Sequence, residues 1–264
     1  MGNEKIPELE MIISAVDQNV TTLAAAMNVE CDAIIINQCH EYAYSEYAYK
    51  KHKIRCFHCD ERGVGRSRNI GLTHCEKDII LFSDEDIVYK DNYAKMILEQ
   101  FDKHPKADML MFNVKQSEGR ETYYNTRFGR VRWYNYGRYP AYSIAVRKES
   151  ILKAGVTFSR FFGGGAKYSN GEDSLFIKEC LDKKLKIYHT NLTIGSEIGR
   201  KSTWFDGYTD KFFFDRGVLY HYLYGIFALA FGFRFIYRGR HDMCREKPFW
   251  KCFGLLKDGI KSAK

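Results

Sequence analysis

Through the first 115 residues, apolar positions come in short unbroken runs separated by polar turns. Met11-Ile12-Ile13-Ser14-Ala15-Val16 shows no apolar–polar alternation, so it predicts a strand buried on both faces. Asp17-Gln18-Asn19-Val20 turns the chain, and Thr21 to Met27 predicts a short helix capped by Thr21 or Thr22. Asp32 to Asn37 and Ile54 to His58 read as the second and third strands. Gly63 to Asn69 leads into a helix ending near His74, and Asp78 to Phe82 is a fourth strand. Asp91 to Lys103 is an amphipathic helix closed by His104-Pro105, and Met109 to Val114 is a fifth strand. Strands alternating with helices predict an α/β fold with a mostly parallel central sheet flanked by helices.

The pattern changes after residue 115. Residues 115–145 are irregular, basic and aromatic, with Arg120, Arg127, Arg130, Arg132, Trp133, Tyr134, Tyr136, Arg138 and Tyr139. Arg147 to Gly155 and Glu172 to Lys183 read as helices, and Ile187-Tyr188-His189 as a late strand. Gly217 to Phe233 then runs without a charged side chain apart from His221. Arg216, Arg234, Arg238 and Arg240 flank it. That combination suits either a membrane-surface anchor or a core helix packed on the domain; at 17 residues it is short for a spanning helix.

Composition adds little to the fold but narrows the function. The 264 residues are 45% hydrophobic, enough for a full core. With 41 basic and 33 acidic residues the net charge is +8, which suits anionic lipid or a nucleotide phosphate. The basic residues are scattered and no nucleic-acid-binding fingerprint is legible, so a nucleic-acid partner is not expected. The N-terminal residues are polar, without an apolar signal core, so a cytoplasmic site is expected, peripheral at the membrane's inner face. The 8 cysteines read as reduced thiols. Cys56-Phe57-His58-Cys59 has metal or redox spacing but lacks a second such pair at finger-like distance, and is read as half-buried free cysteines within a strand.

Candidate chemistry gathers at the strand ends, where parallel sheets bind ligands. Asp17, Asn37, the loop of the sixties and Asp84-Glu85-Asp86 all fall there. Three adjacent carboxylates repel one another unless a cation compensates, and a hard divalent ion takes oxygen ligands that it can share with a phosphate. The alternative for such a triplet alone is a solvated acidic turn.

Three blocks in order carry a resemblance. Arg62-Gly63-Val64-Gly65-Arg66-Ser67-Arg68-Asn69-Ile70-Gly71 looks like a helix-opening segment with an Ala-Arg-Asn core, Phe82-Ser83-Asp84-Glu85-Asp86 like a DxD motif, and Gly163-Gly164-Gly165-Ala166 through Gly171-Glu172-Asp173 like an acceptor-side glycine loop with a Glu-Asp pair. From Met11 to Tyr208 the chain resembles the family 2 glycosyltransferases of surface-polysaccharide assembly, which have the GT-A fold.

The resemblance implies inverting transfer of a sugar from a nucleotide-diphosphate sugar to a saccharide hydroxyl, with Asp173 as general base. Asp86 would hold a divalent metal, Mn²⁺ or Mg²⁺, and Asp84 the ribose or sugar side of the donor. Asp17, Asn37 and Arg68 would contact the nucleotide. Gly163, Gly164, Gly165, Glu172 and Trp204 would form the acceptor and donor-sugar loop. Glu85, pointing the other way along an extended segment, reads as a solvated or structural carboxylate. Arg62 reads as a solvated basic residue and Arg66 as a phosphate ligand or another such residue. The implied organisation is a nucleotide-binding half over 1–115, an acceptor half over 116–208, and a C-terminal helical, membrane-associated segment over 209–264.

Two departures qualify this. Asn37-Gln38 stands where the family usually has an acid pair, and an amide pair can still pair with a base edge. The Gln-x-x-Arg-Trp signature of polymerising members is absent; Arg200-Lys201-Ser202-Thr203-Trp204 is the nearest match, so single-sugar addition is expected, to an acceptor that the apolar tail suggests is lipid-linked. The alternatives are a non-catalytic saccharide-binding or scaffold member of the same fold and, less well supported, a sugar-phosphate nucleotidyltransferase, which wants a glycine-rich loop where Asp17-Gln18-Asn19 stands.

Overall fold

The computed structural model describes residues 6–116, 123–199 and 207–263. In chain order the elements are β1 (Leu9–Val16), α1 (Val20–Ala26), β2 (Asp32–Gln38), β3 (Ala43–Tyr49), β4 (His52–Cys59), α2 (Val64–His74), β5 (Ile79–Asp84), β6 (Ile87–Tyr89), α3 (Tyr93–Lys103) and β7 (Met109–Lys115). They continue with β8 (Gly129–Arg130), β9 (Ile144–Arg147), α4 (Lys148–Ala154), α5 (Glu172–Asp182), β10 (Ile187–Glu197), α6 (Asp210–Tyr224), α7 (Ala228–Met243) and α8 (Phe249–Ser262).

The strands form one mixed sheet in the order β3-β4-β2-β1-β5-β9-β7-β10-β6, with β8 also on β10. β4, β2, β1 and β5 run parallel, as the apolar runs predict. Four strands escape the sequence reading, among them the two-residue β8 (Gly129–Arg130). β3 is an exposed antiparallel edge strand whose polar residues hide it from an apolar-run search, and its charged Glu46 blunts the edge. β9 is only four residues long and inserts antiparallel between β5 and β7. β6, directly after the acids, pairs antiparallel with the far end of β10.

The unbroken apolar run of β1 is explained by burial on both faces. Ile12 belongs to one core cluster, with Phe82, Phe158 and Phe176, while Met11 and Ile13 belong to the other, with Tyr93, Ile97 and Phe101 of α3. All three are fully buried, each contributing about 1.5–3 kcal/mol by transfer from water. α1 starts one residue earlier than expected. Asn19, not a threonine, is its cap, with Oδ1 accepting from the Thr21 backbone N–H at 3.1 Å.

The apolar tail is not one helix. By length and composition Asp210–Met243 is apolar enough to cross a membrane. Gly225, at φ 53° and ψ −122°, ends α6 after 15 residues, however, and α7 of 16 residues folds back on it. Tyr224 stacks on Phe231 at 4.2 Å and Tyr220 meets Phe235 at 5.8 Å. Each helix is shorter than the roughly 20 residues a span needs. Arg216, expected as a flanking anchor, lies instead between the rings of Phe212 and Phe235, at 5.4 and 5.0 Å. Phe213, Val218, Leu219 and Leu256 of α6 and α8 join the same core cluster as Phe82, so this helical unit is partly core. Ile226, Phe227 and Trp250 stay exposed, at 91%, 62% and 71%.

Candidate active site

β1, β2 and β5 end side by side, because Val16 pairs with Gln38 and Ser14 with Asp84. α2 begins over this edge and is pinned there by Ser67, whose hydroxyl donates to that of Ser14 at 3.0 Å. One turn of α2 thereby brings Arg68 beneath the strand ends.

Arg68 organises the site. Its side chain is 2% exposed. Nη2 donates to Asp84 Oδ1 at 2.8 Å, and Nη1 donates to Asp173 Oδ1 at 2.8 Å and to Glu172 Oε1 at 3.2 Å. The Phe158 ring lies under the guanidinium at 5.2 Å. Burial works against its charge, but Asp84, Asp173 and Glu172 together outweigh burial and hold Arg68 charged. An unpaired buried cation would be far too costly, and the three acids need it equally.

Glu172 and Asp173 open α5, whose N-terminus favours carboxylates. Burial raises the proton affinity of Asp173 well above that of an ordinary carboxylate, and Glu172 adds to this while Arg68 opposes it.

The acidic triplet divides into three jobs. Asp84 faces Arg68. Glu85 turns back on the strand end: Oε2 accepts from the Val16 backbone N–H at 2.6 Å and Oε1 from Gln18 Nε2 at 3.1 Å. Its structural reading therefore holds. Asp86 has its carboxyl pushed up to about 6, first by burial, then by Asp84 and Glu197. Glu197 was not singled out in the sequence. It arrives because β10 pairs with β6 and sets Glu197 opposite Ile87, a placement no local motif announces. Asp84 and Glu197 thus both favour the protonated form of Asp86, and Arg68 sits on the Asp84 side.

The amide pair is held by the protein itself. Asn37 is buried, and its amide closes on the backbone of Gln18: Oδ1 accepts from the N–H and Nδ2 donates to the carbonyl, both at 3.0 Å. Gln38 Oε1 accepts from the Gly63 N–H at 2.7 Å. These bonds shape the loops at the strand ends. Arg62 is not merely solvated either: Nη2 pairs with Asp17 Oδ2 and Nη1 donates to the Gln38 carbonyl, both at 2.8 Å. Asp17 remains exposed beside this pair, with φ at 50°. Arg66 pairs with Glu61 at 3.3 Å on the surface.

The glycine loop packs over the start of α2. Gly164 O accepts from the Val64 N–H at 3.0 Å. Gly163 sits at φ 105°, where a Cβ would fall 2.7 Å from both the Glu172 carboxyl carbon and Val64 Cγ1. No larger residue fits between those two side chains. A Cβ on Gly65 would lie 2.1 Å from the Ser159 carbonyl oxygen, so this close approach of loop and helix also requires glycine.

The basic-aromatic stretch splits in two. Tyr136 and Tyr139 are buried, and Tyr139 donates to Asn125 Oδ1 at 3.1 Å. Arg130 lies over the Tyr188 ring. Trp133 and Tyr134 stand exposed, edge to face at 5.6 Å. Trp204, with Lys201 and Ser202, and Arg120 lie outside the described residues.

A parallel sheet core with acids at the β5 end, an arginine beneath them and a glycine loop leading to a Glu-Asp helix start defines the GT-A class of glycosyltransferase fold. The model of the family "Glycosyl transferase family 2" matches residues 14–161, and the chain belongs to that family. Among solved structures it is similar to S. aureus TarS residues 1–349 in complex with UDP-GlcNAc, with a TM-score of 0.66 at 12% identity over 97% of this chain and 82% of that one. The same TarS segment in complex with UDP gives 0.58 at 13% identity over 89% and 72%. Full-length S. aureus TarS gives 0.60 at 13% identity, over 97% of this chain and 49% of TarS. No curated protein sequence matches the chain significantly.

Proposed function

We propose that this glycosyltransferase moves a single sugar, with inversion, from a nucleotide-diphosphate sugar to a hydroxyl of a saccharide acceptor, with a divalent metal at Asp86. The observation that carries the reading is Arg68, which joins the donor-side acid Asp84 to the acceptor-side pair Glu172 and Asp173 in one buried network. A scaffold protein has no need to hold three acids around one buried arginine at the strand ends. A UDP-sugar is the favoured donor, because the similar TarS structures hold UDP-GlcNAc and UDP.

In this reading Asp173 takes the proton from the acceptor hydroxyl as its oxygen attacks the anomeric carbon. Raised proton affinity makes it a better base than an ordinary aspartate. Arg68 holds Asp173 in place and keeps Asp84 turned toward the sugar side of the donor. Glu172 orients hydroxyls from the helix start. Asp86 would hold Mn²⁺ or Mg²⁺, which supplies charge neutralisation for the departing diphosphate. Attack from the side opposite the leaving group, with a single base, inverts the anomeric centre.

The organisation that follows is a nucleotide-binding half over 1–115, an acceptor half over 116–208 and a helical segment over 209–264. The last would rest on the cytoplasmic membrane face through the exposed Ile226, Phe227 and Trp250, with Arg234 and Arg238 as cationic neighbours, and so favour a lipid-linked acceptor.

The test is a melting-temperature panel of nucleotide diphosphates and nucleotide-sugars with and without Mn²⁺. A metal-dependent rise with one base, lost in Asp86→Ala, supports the donor site. No rise with any of them sinks the donor reading and favours a non-catalytic member of the family.

A further inference from the structure

A second group of ligating side chains lies at the β2–β3 edge, away from Arg68. Cys39 follows β2, Glu41 precedes β3, and His58 sits near the end of β4 between its partners Asn37 and Ala43. Cys39 Sγ is 3.5 Å from His58 Nδ1, and Glu41 Oε1 is 3.0 Å from the same nitrogen. All three ligand atoms lie within 4.8 Å of one another.

The convergence on one nitrogen decides between two chemistries. A Cys–His–Glu relay that activates a nucleophile needs the thiol on one ring nitrogen and the carboxylate on the other. Here both address Nδ1, so no relay exists. A tetrahedral ion bound to a thiolate, an imidazole and a carboxylate sets sulfur and nitrogen about 3.6 Å apart and nitrogen and oxygen about 3.3 Å apart, from the usual zinc bond lengths. The separations of 3.5 and 3.0 Å approximate the edges of such a tetrahedron.

We propose that Cys39, Glu41 and His58 form a site for a borderline-soft divalent ion of the zinc class, with its fourth position open to water. Mg²⁺ and Mn²⁺ prefer oxygen donors, so this site is chemically distinct from the one at Asp86. His58 comes from β4 and the other two ligands from the turn between β2 and β3, which the Cys39 N–H anchors on β4 by donating to the Cys59 carbonyl at 3.1 Å. Binding expels the Cys39 thiol proton to solvent and leaves the thiolate on the metal. Cys39 directly follows Gln38, whose side chain holds Gly63, so an ion here would stiffen the loop beside the donor cleft. The sequence pair Cys56 and Cys59 contributes only its intervening histidine; the partners come from the 39–41 turn, which no local spacing rule searches.

Co²⁺ titration of the reduced full chain tests this. The expected result is one equivalent with a thiolate-to-cobalt charge-transfer band, displaced by Zn²⁺ and not by excess Mg²⁺. Cys39→Ser and His58→Ala should each abolish the band and weaken Zn²⁺ binding by at least about 100-fold, since even outer-shell partners are worth about 10–100-fold. Asp86→Ala should leave it intact. Should a variant fail to fold, Zn²⁺ must still slow alkylation of Cys39 in the unaltered protein, read by peptide mass mapping. No charge-transfer band, an unchanged band in Cys39→Ser, or no protection of Cys39 overturns the proposal, whatever the donor experiments give.

Discussion

Arg68 Nη1 donates to Asp173 Oδ1 at 2.8 Å across 105 residues of chain. This bond joins α2 to the start of α5. Arg68→Ala would leave three acids crowded without their cation. Breaking a buried ion pair from one side costs about 3–5 kcal/mol. Urea unfolding followed by circular dichroism should show a loss of that size, and an unchanged midpoint would mean the acids find another partner.

Asp173→Asn keeps the shape and removes the proposed base. Transfer should fall by about 10²–10⁴, the usual worth of a positioned base, while nucleotide affinity measured by calorimetry stays within a few-fold. Near-normal turnover would take the base role away from Asp173.

Asp86 gives a pH prediction. Its folded value of about 6 lies above the unfolded value of 3.8, so the folded state holds the proton more tightly. Stability from this group is fully present below pH 3.8 and is lost as pH rises through 6. The metal-free protein should therefore lose about 2–3 kcal/mol between pH 4 and 7 from this carboxyl. Mn²⁺ should restore it at pH 7, and Asp86→Asn should flatten the dependence. Equal slopes for both proteins would refute the assignment.

Two neighbouring glycines should behave differently. Gly163→Ala forces a Cβ against Glu172 and Val64 at φ 105° and should cost about 1–3 kcal/mol along with much of the transfer rate. Gly164→Ala has open space and should be close to neutral in both melting and activity.

Replacing Ile226, Phe227 and Trp250 together by serine should reduce co-sedimentation with anionic vesicles without lowering the melting temperature, because all three are exposed. Equal retention would place the membrane contact elsewhere or remove it.

The sequence alone determined much of the architecture. Runs such as Met11–Val16 and Asp32–Asn37 show no apolar–polar alternation because both faces of their strands are covered, and that burial shows in composition without any partner being known. The three motif blocks were also legible, since each is a local turn or helix start whose glycines and acids stand together in the chain. Alternation along an extended segment would set Glu85 apart from Asp84 and Asp86, but Glu85 and Asp86 turn between β5 and β6.

Tertiary structure decided what each polar group does. Asn37 and Gln38 look like base readers in sequence, and only the meeting of β2 with the 18 and 63 loops shows Asn37 closing on the Gln18 backbone and Gln38 Oε1 accepting from the Gly63 N–H. Glu197 reaches Asp86 through strand pairing, Arg68 reaches Asp173 across half the fold, and Gly225 divides an apolar run that composition alone reads as continuous. Periodicity records whether a position is buried. Which partner a buried polar group meets depends on register and crossing, and these are settled only when distant elements pack.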